Sequence, residues 1–168
     1  MELSEEDLLL FDDEREFYAQ KPEIVAKGLI GANIIRTTGD KMIAGIVTGI
    51  DAWPTPVHER QRAAYSQEPG NVYIYSSPYG KFFAITAHEP QGTGVVRIKQ
   101  VTFPSSEIEI SSSNIVNEFS LADMHGKYVN GSDLFIMRMS LDPSYEIREI
   151  RPKAKDKFSA EYKAVRKK

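Results

Sequence analysis

A chain of 168 residues fits one domain, large enough to bury roughly two thirds of its unfolded surface. It has no cysteine, which excludes thiol chemistry, disulfide staples and Cys-based zinc sites, and its three histidines, His58, His88 and His125, lack metal-ligand spacing. A formal net charge of −3 argues mildly against a nucleic-acid binder, and the lack of a secretory h-region or long apolar run predicts a soluble, intracellular protein.

The charge is uneven along the chain. From Glu2 to Glu14 there are seven acids and no base, whereas Arg151–Lys168 holds eight Lys/Arg against Asp156 and Glu161. The sequence therefore divides into an acidic segment over 1–16, a domain over 17–150 and a basic tail over 151–168. Such a tail either adds phosphate contacts through counterion release or is simply solvated and frayed.

In chain order, Ser4 is placed to cap an acidic amphipathic helix that runs to Tyr18. Pro22 starts a short helix whose Ile24, Val25, Leu29 and Ile30 share a face until Gly31 ends it. Asn33–Thr37 and Met42–Ile50 predict two strands joined by Thr38-Gly39-Asp40-Lys41, and residues 54–69 a polar loop or short helix. Asn71–Tyr75 and Lys81–Ala87 predict a second hairpin with Tyr79 at its tip, followed by a strand over Gly94–Phe103. Ser111–Ser113 predict a cap for a helix over Asn114–Phe119, and Leu134–Ser140 a late strand. The expected fold class is α+β, a single domain with a curved, mostly antiparallel sheet flanked by helices.

Two stretches carry the chemistry. Gly45–Trp53 delivers a carboxylate and a large ring together, Asp51 and Trp53, just before Pro54. Pro69–Gly80 adds Tyr73, Tyr75 and Tyr79 beside a Pro/Gly-rich corner. An acid/base group among flat stacking surfaces suits a site for a flat ring such as a nucleobase. Alternation puts Tyr73 and Tyr75 on one side of their strand, one to pack and one to stack. Folding roles compete with these: Asp51 could cap the turn at Pro54, and Trp53 could sit in the core.

Read in order, these residues resemble the alkyladenine (methylpurine) DNA glycosylases, which remove damaged purines from DNA. Phe17-Tyr18, Val25-Ala26, Leu29-Ile30-Gly31 and Ile35-Arg36 follow that family's opening. Gly45–Trp53 is similar to its Gly-x-Ile-Val-Glu-Thr-Glu-Ala-Tyr signature, and Arg60–Tyr65 to its Arg-Asn-Arg-Gly-Met-Phe block. Tyr73-Ile74-Tyr75 and Tyr79-Gly80 resemble its Tyr-Val-Tyr and Tyr-Gly, and Ser132-Asp133-Leu134 its late Asp-Leu. The resemblance spans roughly residues 17–140.

What the resemblance implies is a monomer that binds double-stranded DNA with a damaged purine and uses no cofactor. Asp51 stands at the catalytic carboxylate, one carbon shorter than the family's Glu. Trp53 and Tyr75 stand at the two rings that sandwich the flipped base, and Tyr79 at the side chain that fills the gap in the duplex. Pocket specificity falls to Thr86, where the family has Asn, to Tyr73, and to His58 for a displaced pocket histidine. Lys99, Arg60 and Arg62 fall in the DNA-backbone set. The implied function is a DNA-repair N-glycosylase that hydrolyses the bond to an alkylated or deaminated purine. Its alternatives are a non-catalytic relative that recognises modified or distorted DNA or RNA, and a small-ligand or protein-interaction domain.

Overall fold

A computed structural model describes residues 14–56, 58–152 and 158–168. The helix predicted from Ser4 lies mostly outside these residues; its described end is α1, Glu14–Tyr18. Helix α2 (Pro22–Leu29) starts at the proline, whose fixed φ and missing N–H suit a first turn. It turns Val25, Ala26 and Leu29 inward.

Among the described residues nine strands form one sheet, and every pairing in it is antiparallel. They are β1 (Asn33–Thr38), β2 (Lys41–Trp53), β3 (Val72–Ser77), β4 (Gly80–Thr86), β5 (Val95–Phe103), β6 (Ile108–Ser111), β7 (Leu134–Met137), β8 (Tyr145–Ile150) and β9 (Ala160–Arg166). The spine of the sheet runs β3-β4-β5-β2-β1-β7, with β6 on β5 and the β8–β9 hairpin on β2. A short helix α3 (Arg62–Tyr65) lies between β2 and β3, and α4 (Ser112–Glu118) follows β6. Thus the fold is the expected α+β domain on a curled antiparallel sheet with few helices.

Two apolar clusters sit on opposite faces of the sheet. The larger gathers Val47, Ile50 and Ala52 of β2, Ile34 of β1, Phe83 and Ile85 of β4, and Ile98 of β5 under α2 and α4. Each such Val, Ile or Phe side chain, taken wholly out of water, contributes about 1.5–3 kcal/mol. The smaller holds Tyr65, Tyr73, Ala84 and Val95, with Trp53 and Tyr75 packed against it.

A paired irregularity decides what β2 presents to each face. Val47 pairs with Val101, Gly49 with Gln100 and Ile50 with Ile98, so one extra residue in β2, Thr48, is matched by one in β5, Lys99. Before this point odd-numbered Val47 faces the main core; after it, even-numbered Ile50 and Ala52 do. Asp51 and Trp53 are thereby turned to the smaller cluster. Gly49 makes the crossing close, since a Cβ there would meet the Gln100 side chain at 3.0 Å.

Four strands differ from the sequence expectation. Strand β2 continues through Trp53, because Asp51 and Ala52 are paired on both sides, to β5 and β9. The short strands β6 and β8 carry mostly exposed residues, so their alternation is weak. The basic tail contains β9: Ala160 and Tyr162 are buried between Glu161 and Lys163, and the strand hydrogen-bonds into the sheet. No helix among the described residues is long and apolar enough to cross a membrane.

Candidate functional site

The register of five strands builds the site. Tyr73 pairs with Ala84, Ala84 with Arg97, Arg97 with Asp51, and Asp51 with Glu161, a row straight across β3, β4, β5, β2 and β9. Next to it Tyr75 pairs with Phe82, and Trp53 with Val95. Rings and charges far apart in sequence thus converge on one face.

At the centre of the row Asp51 meets Arg97. Arg97 Nη2 donates to Asp51 Oδ2 at 2.6 Å and Nε to Oδ1 at 3.2 Å, the bidentate fork of a guanidinium on a carboxylate. Oδ1 also accepts from the indole Nε1 of Trp53 at 2.7 Å. Asp51 is only 1% exposed. Burial raises its carboxyl above the usual range, against the opposing pull of Arg97 and Trp53. Burial works against the Arg97 charge, and the Asp51 carboxylate outweighs it and raises the guanidinium pKa.

Above this pair opens a cleft of about 300 Å³. Trp53, Tyr75, Phe82 and Arg97 line it from the sheet, and His58 and Arg60 from the segment before α3. The Arg97 guanidinium lies 5.3 Å from the Trp53 ring centre and 5.6 Å from that of Phe82. Tyr75 stacks on Phe82 with centroids 5.3 Å apart and planes 25° apart. Burial raises the Tyr75 hydroxyl above its ordinary range. Phe158 packs against Trp53 with 5.9 Å between ring centres and the planes 51° apart.

Tyr79 stands at the rim on the β3–β4 turn, 85% exposed. Its backbone N–H donates to Ser77 Oγ at 3.1 Å, and Gly80 takes a positive φ of 129° to close the turn. A tyrosine held out on a tight turn has no packing role.

Of the residues singled out from sequence, Trp53, Tyr75, His58, Arg60 and Tyr79 share this cleft, with Asp51 directly beneath Arg97. The others stand apart. Tyr73 is buried, packed between Tyr65 and Tyr75 at 6.2 and 5.3 Å, and supports the cleft from below. Thr86 is fully buried, with its hydroxyl donating to Ala64 O at 3.5 Å, and does not line the cleft. Arg62 is held by Glu59 at 2.6 Å and Lys99 by Glu161 at 2.9 Å, so both charges are paired.

Arg97, Phe82 and Phe158 are site residues that were not singled out from sequence. Arg97 had one local signal, a lone charge inside the apolar run Val95–Ile98. Among the described residues no group of three or more His, Cys, Asp or Glu could hold a metal ion. No protein-family model matches the chain, and no curated protein matches it.

Proposed function

We propose that the chain is a DNA-repair N-glycosylase that turns a damaged purine out of duplex DNA into the cleft between Trp53 and Tyr75. The observation that supports the reading is convergence: Trp53, Tyr75 and Arg97 line one cleft, Asp51 lies beneath it, and Tyr79 projects at its rim. Stacking of the base on an aromatic wall is worth ~1–3 kcal/mol, and Tyr79 in the vacated stack offsets part of the flipping cost.

In this reading Arg97 is the latch. A carboxylate with both oxygens on a guanidinium is a weak base, so Arg97 turns toward the incoming purine and frees an oxygen of Asp51. Asp51 then takes a proton from the water that attacks the sugar C1′, and the purine leaves with the electron pair of the broken bond. The protein works as a monomer without a cofactor.

Purified protein incubated with duplexes containing hypoxanthine, ethenoadenine or an alkylated purine is expected to leave abasic sites. Asp51→Asn abolishes this; equal base release by the variant sinks the mechanism. One observation favours a second reading, a non-catalytic protein that recognises modified or distorted nucleic acid: the grip of Arg97 and Trp53 on Asp51. Tight binding that survives Asp51→Asn and is lost in Tyr79→Ala, with no base released, would select it.

A further inference from the structure

We propose that the cleft selects a neutral 6-oxopurine, a ring with hydrogen-bond acceptors along one edge, over a cationic alkylated purine; this substrate class rests on the base-capture reading above. The charged groups on its wall carry the argument. Two guanidiniums, Arg97 and Arg60, line the cleft, and among the described residues its lining contains no carboxylate. Arg60 is exposed and has no ion-pair partner among the described residues. The acid of the site, Asp51, is 1% exposed and lies behind Arg97. A ligand in the cleft therefore meets the cation first and its counter-charge second. In a partly desolvated slot that difference in distance counts for more than it would in water.

Hydrogen bonding points the same way. Arg97 offers only donors, and Asp51 occupies its Nε and one Nη. Tyr75 lines the cleft together with Arg97, whose positive charge draws the lone pairs of the Tyr75 hydroxyl toward it and leaves the hydroxyl proton to be donated onward. The indole N–H of Trp53 is already used on Asp51. The free polar capacity that Arg97 and Tyr75 present to a ring is thus N–H and O–H. A 6-oxopurine brings O6 and N7 to meet them. A methyl on N7 removes one acceptor and adds a positive charge facing Arg97. The same donors stabilise the electron pair that collects on a neutral purine as it leaves, help that a cationic purine does not need.

Direct titration tests the inference. Two duplexes differ only in one base, hypoxanthine or 7-methylhypoxanthine, each on a 2′-fluoro sugar that slows cleavage of the glycosidic bond; a third is unmodified. Hypoxanthine is expected to bind at least about tenfold more tightly than its methylated form. The double variant Asp51→Asn Arg97→Gln, which removes both charges together, narrows the ratio to under about threefold. Tyr75→Phe removes one donor, leaves the ion pair in place and also narrows it, so the result does not depend on one variant folding. If the methylated base binds as tightly as hypoxanthine or more so, the substrate class is overturned while base capture stands. If all three duplexes bind equally, base capture itself falls. A preference unchanged in both variants removes Arg97 and Tyr75 from the selection and overturns the inference.

Discussion

Asp51 and Arg97 face each other across the β2–β5 pair, with Arg97 holding both oxygens of the carboxylate at 3.2 and 2.6 Å. With Asp51 this deeply buried, removing its partner strands a charge rather than exposing it. Arg97→Gln is expected to destabilise the fold by about 3–5 kcal/mol, and adding Asp51→Asn to recover much of the loss. Urea unfolding of the two single variants and the double variant measures this.

The raised Asp51 carboxyl gives a pH dependence of definite sign. The folded chain keeps the proton to a higher pH than the unfolded chain, so it binds more protons between the ordinary and the raised value. Stability from this group is therefore lost as pH rises through that window. Asp51→Asn removes the effect, and the variant should gain on the wild type as pH rises above the ordinary carboxylate value of about 4. Denaturant midpoints of both proteins at each pH report the difference.

Tyr79 is exposed and unpacked, so Tyr79→Ala should change stability by less than about 0.5 kcal/mol. Its effect is expected on DNA. Binding to a lesion-containing duplex weakens while thermal unfolding stays in place, and unchanged binding removes the wedge role.

Among the basic residues the ion pairs rank the candidates for phosphate contact. Arg60→Ala is expected to lower the salt slope of DNA binding by about 1, and Lys99→Ala by less, because Glu161 already neutralises Lys99. Titrations at several salt concentrations separate the two.

Tyr162 anchors β9 in the main core at 3% exposure. Tyr162→Ala should cost about 3 kcal/mol, as for other large aromatic truncations. A smaller penalty with cooperative unfolding intact would mean that the last strand adds little to the sheet.

Residue patterns carried much of this structure. The two hairpins, the Pro22 helix and the Tyr79 turn were legible because alternation and Gly/Pro punctuation act over a few residues. Long-range partners were not. Nothing local ties Arg97 to Asp51, and a strand reading that stops at Ile50 leaves Asp51 in a turn. The double irregularity at Thr48 and Lys99, which turns Asp51 to the cleft face, involves two strands at once and has no single-segment signature. In β9 the alternation of Ala160 and Tyr162 with Glu161 and Lys163 was present but masked by the surrounding lysines.

The edge of β2 that faces away from β5 is shared end to end: β1 takes Lys41–Ile46 and β9 takes Gly49–Ala52. β1 arrives through a tight turn, whereas β9 comes from the other end of the described chain. Just before β9, the Ser159 N–H donates to Ala52 O at 2.9 Å. Closing so large a loop belongs late in folding, after the local hairpins have formed. The backbone beside Asp51 is therefore expected to stay unpaired on one side until β9 docks, which would complete the site late in folding.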